Sequence, residues 1–347
     1  MQIADPVASR RVTRREVLTL GIGAFVVASM PLAARGHRAL VRRTLPVMGT
    51  IAEFAVIHPD RRRAQAAVDA AIEELRRVEW LMTRFSETSD VGRANRFAAA
   101  RPVPVSAPTA TVLRESLAWA QASDGEFDPC VGRAVRLWDV GHRQSPPPDR
   151  PVGRLAGRHL YRALEVDTWR GQPAIWFADP DVEIDLGGIA KGYGVDRAVD
   201  ALRYHGIRQG VVNVGGDLYA LGESERGEPW KIGIRSPENP KALAGEVRVS
   251  DGAVATSGDY LQYFLHAGRR YHHLLDPGTA APRVTEVRSV TIAADTCLAA
   301  DVAATAVYGM TRERAGDLLR FRAPGARIAS IIVEGERGTP AAIRPRT

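Results

Sequence analysis

The sequence is poor in lysine and in aromatic residues. Only three of its 47 basic residues are lysines, at positions 191, 231 and 241, and 6% of all residues are aromatic. No basic run is interleaved with aromatic side chains, as binders of single-stranded nucleic acid require, so we expect no nucleic-acid binding. The formal net charge is +7, and five arginines against two acids in residues 1–35 account for +3 of it. The rest of the chain is therefore only weakly basic.

Cysteine is also scarce. Cys130 and Cys297 are the only two, and they form neither a C-x-x-C pair nor a metal-ligand spacing. The sequence does not decide whether they form a disulfide, because their separation along the chain does not give the distance between them. We interpret both as buried small residues.

No apolar run reaches the ~20 residues that a helix needs to cross a bilayer. Residues 1–35 instead show paired arginines, an apolar stretch from about Val17 to Ala28, and small residues near Ala33. This order is typical of an export signal, and the pair Arg14 and Arg15 indicates the twin-arginine type. We therefore predict an export signal over 1–35, a single domain over 36–347, and a periplasmic or otherwise exported location.

The apolar pattern changes period along the chain. Residues 44–57 alternate like a strand, and the segment after Asp60 has helical spacing. Further helices are predicted at about Thr109–Ser123, Ile189–His205, Thr296–Tyr308 and Arg312–Phe321. Strands occur in runs rather than in strict alternation with helices, which favours an α+β fold with mixed, largely antiparallel sheets flanked by helices. Three of the predicted strands are EVDTW (165–169), PAIWFA (173–178) and DVEIDL (181–186).

The stretch EIDLGGIAKGYGVD (183–196) contains the first of the three lysines. A helix that begins near Ala190 would aim free N–H groups and its positive end at a phosphate. The stretch is neither a P-loop nor a dinucleotide-binding glycine fingerprint. The ammonium group of lysine is a compact point charge, whereas the guanidinium of arginine is a larger planar group. We therefore interpret Lys191 as a pyrophosphate contact, with chance retention of a lysine as the alternative.

Two glycine-containing segments allow both a structural and a functional interpretation. In VNVGGDLYALG (212–222) the pair Gly215 and Gly216 suits a tight hairpin turn without any ligand. In DGAVATSGDY (251–260) the hydroxyls of Thr256 and Ser257 suit either phosphate binding or an ordinary turn. The residues alone do not decide between these alternatives.

The segment RYHHLLDP (270–277) carries two adjacent histidines. Adjacent residues of a strand point to opposite faces, so at most one of them faces a site. We expect this to be His273, which could act as a general base near neutral pH. A hydrogen-bonded core histidine is the alternative.

The segment AADTCLAADVAATAVYGM (293–310) places Asp301 and Thr305 four residues apart on an alanine-rich helix. This spacing puts a carboxylate and a hydroxyl on one face. A buried carboxylate needs a cation or hydrogen-bond donors. Few, hard oxygen ligands suit Mg²⁺, which completes its shell with phosphate and water oxygens.

Taken together, these segments resemble the ApbE family, the FAD:protein FMN transferases. The resemblance runs in order over nearly the whole chain after residue 45 and rests on eight segments. They are PVMGT (46–50), LMTRFSETSDVGRANR (81–96), GEFDPCVGRAVRLWDVG (125–141), DLGGIAKGYGVD (185–196), VNVGGDLYALG (212–222), ATSGDY (255–260), HLLDP (273–277) and AADVAATA (299–306).

The resemblance implies a single ApbE-like domain that cleaves Mg²⁺-bound FAD and passes FMN to a threonine hydroxyl of an acceptor flavoprotein, releasing AMP. Asp301, Thr305 and the Gly188 carbonyl match the metal ligands, and His273 matches a residue essential for transfer. The positions that match FAD contacts are Met48, Phe85, Glu126, Phe127, Asp128, Asp185, Lys191 and Leu275. Phe85 departs from the tyrosine of many relatives, which keeps a ring for stacking but removes a hydroxyl.

Two other functions stay open. A pyrophosphatase would use the same metal and pocket to yield FMN and AMP with water as acceptor. A non-catalytic FAD-binding redox accessory protein would not need Asp301, Thr305 and His273 together. Exported relatives that serve the flavoprotein of nitrous-oxide respiration provide one setting, in which the acceptor could be membrane-associated.

Overall fold

The computed structural model describes residues 25–27, 38–224, 226–239 and 242–334. Its helices are α1 Arg61–Met82, α2 Asp90–Phe97, α3 Ala107–Ala122, α4 Gly132–Trp138, α5 Asp149–Gly153, α6 Ala190–Tyr204, α7 Cys297–Val307 and α8 Arg312–Arg322. Its strands are β1 Phe25–Val27, β2 Ala39–Val47, β3 Thr50–His58, β4 Val103–Pro104, β5 Leu164–Trp169, β6 Gln172–Phe177, β7 Gln209–Val214, β8 Asp217–Leu221, β9 Trp230–Arg235, β10 Leu243–Val249, β11 Gly252–Gly258, β12 Tyr263–His266, β13 Arg269–His272, β14 Leu275–Asp276, β15 Ala281–Pro282, β16 Val287–Ala294 and β17 Arg327–Val333.

A seven-stranded sheet in the order β17-β16-β11-β8-β7-β3-β2 forms the middle layer. Helices α1, α6 and α7 cover one face. The small sheet β1-β9-β10 packs on the other face through side chains such as Trp230 and Ile232. All strand pairings in the seven-stranded sheet are antiparallel. The predicted α+β class with largely antiparallel sheets is therefore confirmed.

The central strands direct alternate residues to the two faces, as the strand period requires. In β8, Tyr219 and Leu221 lie in the core under the helices, whereas Leu218 and Ala220 face the small sheet. In β11, Ala253 and Ala255 lie on the helix side and Val254 on the other. This alternation decides which polar residues of these strands lie beneath α6 and α7.

Helix α1 shows how the predicted apolar pattern becomes packing. All the positions that gave it helical spacing are buried: Ala67, Val68, Ala71, Leu75, Val78 and Leu81. Asp60 starts the helix, because its side chain accepts hydrogen bonds from the N–H groups of Arg62 and Arg63. Helix α6 ends at Tyr204, and Gly206 follows with a φ of +80°, which is favourable for glycine.

One predicted strand, 181–186, is wrong. Only Glu183 forms a bridge, which is isolated and parallel, to Val131. The backbone of Ile184 instead bonds to a side chain: its N–H donates to Asn95 Oδ1 at 2.7 Å and its carbonyl accepts from Asn95 Nδ2 at 3.0 Å. The segment is therefore held by loops and by α2 rather than by a neighbouring strand.

The predicted export signal and the domain start at residue 36 lie largely outside the described residues. The exception is Phe25–Val27, which pairs antiparallel with β9. Among the residues that the structure describes, no helix has the length and apolar character needed to cross a membrane.

Candidate active site

Lys191 stands at the start of α6 between two buried carboxylates. Its Nζ donates to Asp217 and lies 3.3 Å from Asp301 Oδ1. The side chains of Asp217 and Asp301 are only 3% and 4% exposed, against 27% for Lys191. Asp301 also accepts a 2.9 Å hydrogen bond from the Gly192 N–H, near the first turn of α6. One ammonium group with three donors thus serves two carboxylates at once.

With both acids ionised, the cluster carries one more negative than positive charge. Burial and the neighbouring charge of Asp301 raise the pKa of Asp217 to about 7, although Lys191 acts in the opposite direction. The two carboxylates in turn raise the pKa of Lys191, which stays charged. Lys191 alone therefore does not balance the two acids, and a second cation would be stabilised here.

Asp217 is a site residue that the sequence analysis missed. The glycine pair before it forms the β7–β8 turn, with φ of +63° at Gly215 and +103° at Gly216. Asp217 has the same parity in β8 as Tyr219 and Leu221, which lie on the helix side. If the hairpin is assumed, the sequence predicts which face of the sheet Asp217 lies on. It does not predict that α6 packs over that face.

Thr305 lies one helical turn after Asp301 and faces the chain before α6. A Cβ built on Gly188 would lie 3.1 Å from Thr305 Oγ1 and 3.3 Å from the Phe127 ring, so the glycine permits this close approach. Ser257 Oγ lies 3.3 Å from Thr305 Oγ1. Ser257 is in β11 rather than in a turn and shares the helix-side parity of Ala255. Thr256 faces away and pairs with Thr291 at 2.8 Å.

These groups fit a Mg²⁺ ion. Among the described residues no three His, Cys, Asp or Glu side chains form a metal cluster. A cation would rely on the Asp301 carboxylate, the Thr305 hydroxyl and a backbone oxygen such as that of Gly188. Mg²⁺ accepts such a small set of protein oxygens, and the excess negative charge of the cluster favours it.

The structure separates the two histidines. His272 is buried against Tyr308, and its Nε2 lies 3.0 Å from the Arg283 carbonyl oxygen. His273 Nδ1 lies 3.2 Å from the Gln262 carbonyl oxygen. A carbonyl only accepts, so Nδ1 carries the proton and Nε2 keeps a free lone pair. Burial lowers the pKa of His273 to about 4, and the positive charge of Lys191 contributes to this lowering.

A second group surrounds Arg84. Its Nε lies 2.9 Å from Asp185 Oδ2, and its guanidinium lies 4.5 Å from the centre of the Phe85 ring. Asp185 also accepts from the Gly187 N–H at 2.8 Å. Phe85 is 84% exposed, so its ring is free to stack. Arg84 thus links two predicted flavin contacts, which the sequence analysis did not single out.

The three consecutive predicted FAD contacts, Glu126, Phe127 and Asp128, have different environments in the structure. Glu126 pairs with Arg283 at 2.7 Å and with Arg314 at 2.9 Å. Phe127 is buried near Gly188. Asp128 accepts hydrogen bonds from the N–H groups of Cys130 and Tyr161, which occupy both of its oxygens.

Two further predicted contacts lie in short β-connections. Met48 occupies the β2–β3 turn with φ of +53°, donates its N–H to Glu79 and packs beside Gly194 of α6. Leu275 is partly buried and pairs with Pro282. Cys130 and Cys297 are both free and buried, which confirms their interpretation as buried small residues.

The fold and this cluster define an α+β enzyme with a buried acid–lysine site beside a hydroxyl-bearing helix. The family model for the ApbE family matches residues 48–329. The chain belongs to this family.

Curated relatives and solved structures agree. The FAD:protein FMN transferase of Vibrio cholerae is 33% identical over 274 residues, covering 78% of this chain and 81% of the relative. That of Treponema pallidum is 33% identical over 322 residues, covering 86% and 87%. The crystal structure of the ApbE protein of Thermotoga maritima superposes with a TM-score of 0.75 at 31% identity, covering 85% of this chain and 95% of the other.

Proposed function

We propose that this chain transfers FMN from FAD to a threonine hydroxyl of a partner flavoprotein, in a Mg²⁺-dependent reaction that releases AMP. Family membership and the similarity to FAD:protein FMN transferases support flavin transfer. The observation that carries the finer proposal is the buried cluster of Lys191, Asp217 and Asp301 beside Thr305. An uncompensated negative charge, a lysine and a hydroxyl suit a metal-bound pyrophosphate.

We assign a separate role in the reaction to each of these residues. Asp301, Thr305 and the Gly188 carbonyl would hold Mg²⁺, which supplies neutralisation of charge on the two phosphates when bound. Lys191 adds a second positive charge at the same place. Asp217 would keep the ammonium group oriented, because it accepts a hydrogen bond from Nζ and is not among the proposed metal ligands.

His273 would accept the proton of the acceptor hydroxyl. The threonine oxygen forms a bond to the phosphorus of the FMN half, and the bond from that phosphorus to the AMP oxygen breaks. The hydroxyl proton moves to Nε2 of His273, which is unprotonated at neutral pH because the pKa of the ring is lowered to about 4. A bound pyrophosphate carries negative charge and would raise this pKa towards the range in which a general base is effective.

The test is a transfer assay with FAD, Mg²⁺ and a candidate acceptor, read by mass spectrometry of the acceptor. We expect the mass of the acceptor to increase by that of one FMN less one water, with AMP in equal amount, and the increase to vanish with EDTA. An unmodified acceptor together with free FMN and AMP would support the pyrophosphatase instead. Bound FAD without any cleavage would support the non-catalytic carrier.

We also propose that the enzyme acts after export through the twin-arginine route. The paired Arg14 and Arg15 before a short apolar stretch support this. Cell fractionation should find the enzyme outside the cytoplasm, and replacing both arginines by lysine should retain it inside. An unchanged distribution in that variant contradicts the proposal.

A further inference from the structure

Helix α7 begins with all four of its first N–H groups bonded, and half of the acceptors come from another helix. Asp196, in the middle of α6, accepts from Cys297 N–H at 2.7 Å and from Leu298 N–H at 2.9 Å. Thr296, the N-cap residue of α7, accepts the other two hydrogen bonds. Its hydroxyl accepts from the Ala299 N–H and its carbonyl from the Ala300 N–H. The start of α7 is therefore fully satisfied only while α6 is in place.

The arrangement is reciprocal. Helix α6 has no side-chain cap of its own at Ile189. Its Gly192 N–H instead donates to Asp301, which is on α7. Each helix thus supplies a carboxylate to the amino-terminal turn of the other, where the positive end of the helix dipole stabilises negative charge.

The contact between the helices is also too close for a side chain. A Cβ on Gly192 would lie 2.3 Å from the Cys297 carbonyl oxygen and 2.8 Å from Asp301 Cβ. Asp196 therefore sets where α7 begins relative to α6, and Asp301 and Thr305 follow at one and two turns from that start. A shift of α7 would move both side chains away from Lys191 and Gly188 together.

We propose that Asp196 is a positioning residue for the metal site: by capping α7 from α6, it holds Asp301 and Thr305 in the geometry that binds Mg²⁺. This inference rests on the proposed function. Burial raises the pKa of Asp196 to about 6, so the carboxylate is ionised at neutral pH and interacts with the positive end of α7. Asp196 does not touch the reacting atoms.

The test compares Asp196→Asn with two controls. Asp200→Asn removes the same charge from the exposed side of α6, where Asp200 pairs with Arg197 and Arg203. Thr296→Ala removes the cap that α7 makes for itself and leaves the link to α6 intact. Mg²⁺ is titrated calorimetrically into each protein, with and without FAD, and thermal unfolding is recorded alongside.

We expect Asp196→Asn to bind Mg²⁺ about tenfold more weakly, as is typical when residues that orient metal ligands are changed. The Mg²⁺ concentration for half-maximal transfer should rise by the same factor, whereas the rate at saturating Mg²⁺ should change little. Both controls should bind Mg²⁺ like the wild type. Wild-type affinity in Asp196→Asn, or an equal loss in Thr296→Ala, would overturn the proposal.

If Asp196→Asn does not fold, Asp196→Glu takes its place, because it keeps the charge but displaces the start of α7. Weakened Mg²⁺ binding in a folded Glu variant supports the proposal, and unchanged binding overturns it. The titration needs no acceptor protein. A wild type that binds Mg²⁺ but transfers no FMN would refute the proposed function and leave the comparison of the variants valid.

Discussion

Two buried aspartates, Asp128 and Asp301, show opposite uses of the same side chain. Both carboxylates are excluded from solvent, and both were assigned to the site by resemblance. Asp128 has both oxygens occupied by backbone N–H groups of its own neighbourhood. Asp301 has one backbone donor, Gly192, and otherwise faces a lysine that it shares with Asp217.

The difference lies in what satisfies the charge. Rigid backbone donors close the environment of Asp128, which is typical of a residue that holds a loop together. A side-chain cation shared between two acids leaves the environment of Asp301 short of positive charge, which a ligand can supply. Burial of an aspartate is therefore not informative until its partners are identified.

The largest effect should come from Asp301→Asn. Losing the carboxylate removes the proposed metal ligand and leaves Lys191 paired with Asp217 alone, so FMN transfer should fall by about a thousandfold or more. Transfer is measured by acceptor mass at saturating FAD, with thermal unfolding to show an intact fold. If the variant transfers FMN at the wild-type rate, Asp301 is not a metal ligand and the contrast with Asp128 has no functional meaning.

The second largest effect on FMN transfer should come from His273→Gln. The variant loses Nε2, the proposed base, and we expect transfer to fall by about 10²–10⁴ while FAD still binds. FAD binding is followed by the change in flavin fluorescence. His272→Gln is the matched comparison, and its damage should appear in thermal unfolding because that ring is buried against Tyr308. Full transfer by the His273 variant would exclude the imidazole from the chemistry.

Acid should destabilise the protein partly through the same residue. The pKa of His273 is lowered to about 4 in the folded state, from 6.5. Between these values the unfolded chain binds the extra proton, so stability present above pH 6.5 is lost as the pH falls towards 4, by up to about 3 kcal/mol. Urea unfolding at pH 7 and pH 4.5 should show a smaller drop in His273→Gln. Equal drops in both proteins would contradict this assignment.

The smallest effect concerns the other aspartate. Asp128→Asn leaves one of two buried backbone N–H groups without an acceptor, which should cost about 1–3 kcal/mol of unfolding free energy. Transfer by the remaining folded enzyme should stay close to normal. The exposed Asp124, changed to Asn, is the matched control. Wild-type stability combined with lost FAD binding would reverse the comparison and make Asp128 a flavin contact.

Much of the fold was predictable from local pattern. The spacing of Ala67, Val68 and Ala71 predicted α1, because the period acts over a few residues. The pair Gly215 and Gly216 was compatible with the β7–β8 turn, but the sequence did not decide between that turn and a ligand-binding role. The strand predicted at 181–186 failed for a long-range reason. Ile184 bonds to the side chain of Asn95, and Glu183 forms only an isolated bridge to Val131. The apolar period of the segment predicts neither contact.

By itself the sequence determined the long helices, most strands of the central sheet, and the shared face of Asp301 and Thr305. Only the tertiary structure decided that Asp217, Asp301 and Lys191 meet, that Asp128 is closed off, and that Asp196 joins α6 to α7. The physical reason is that the cost of a buried charge depends on which groups the packing brings beside it. Lys191 and Asp301 lie 110 residues apart in the chain, and Asp196 and Cys297 lie 101 residues apart.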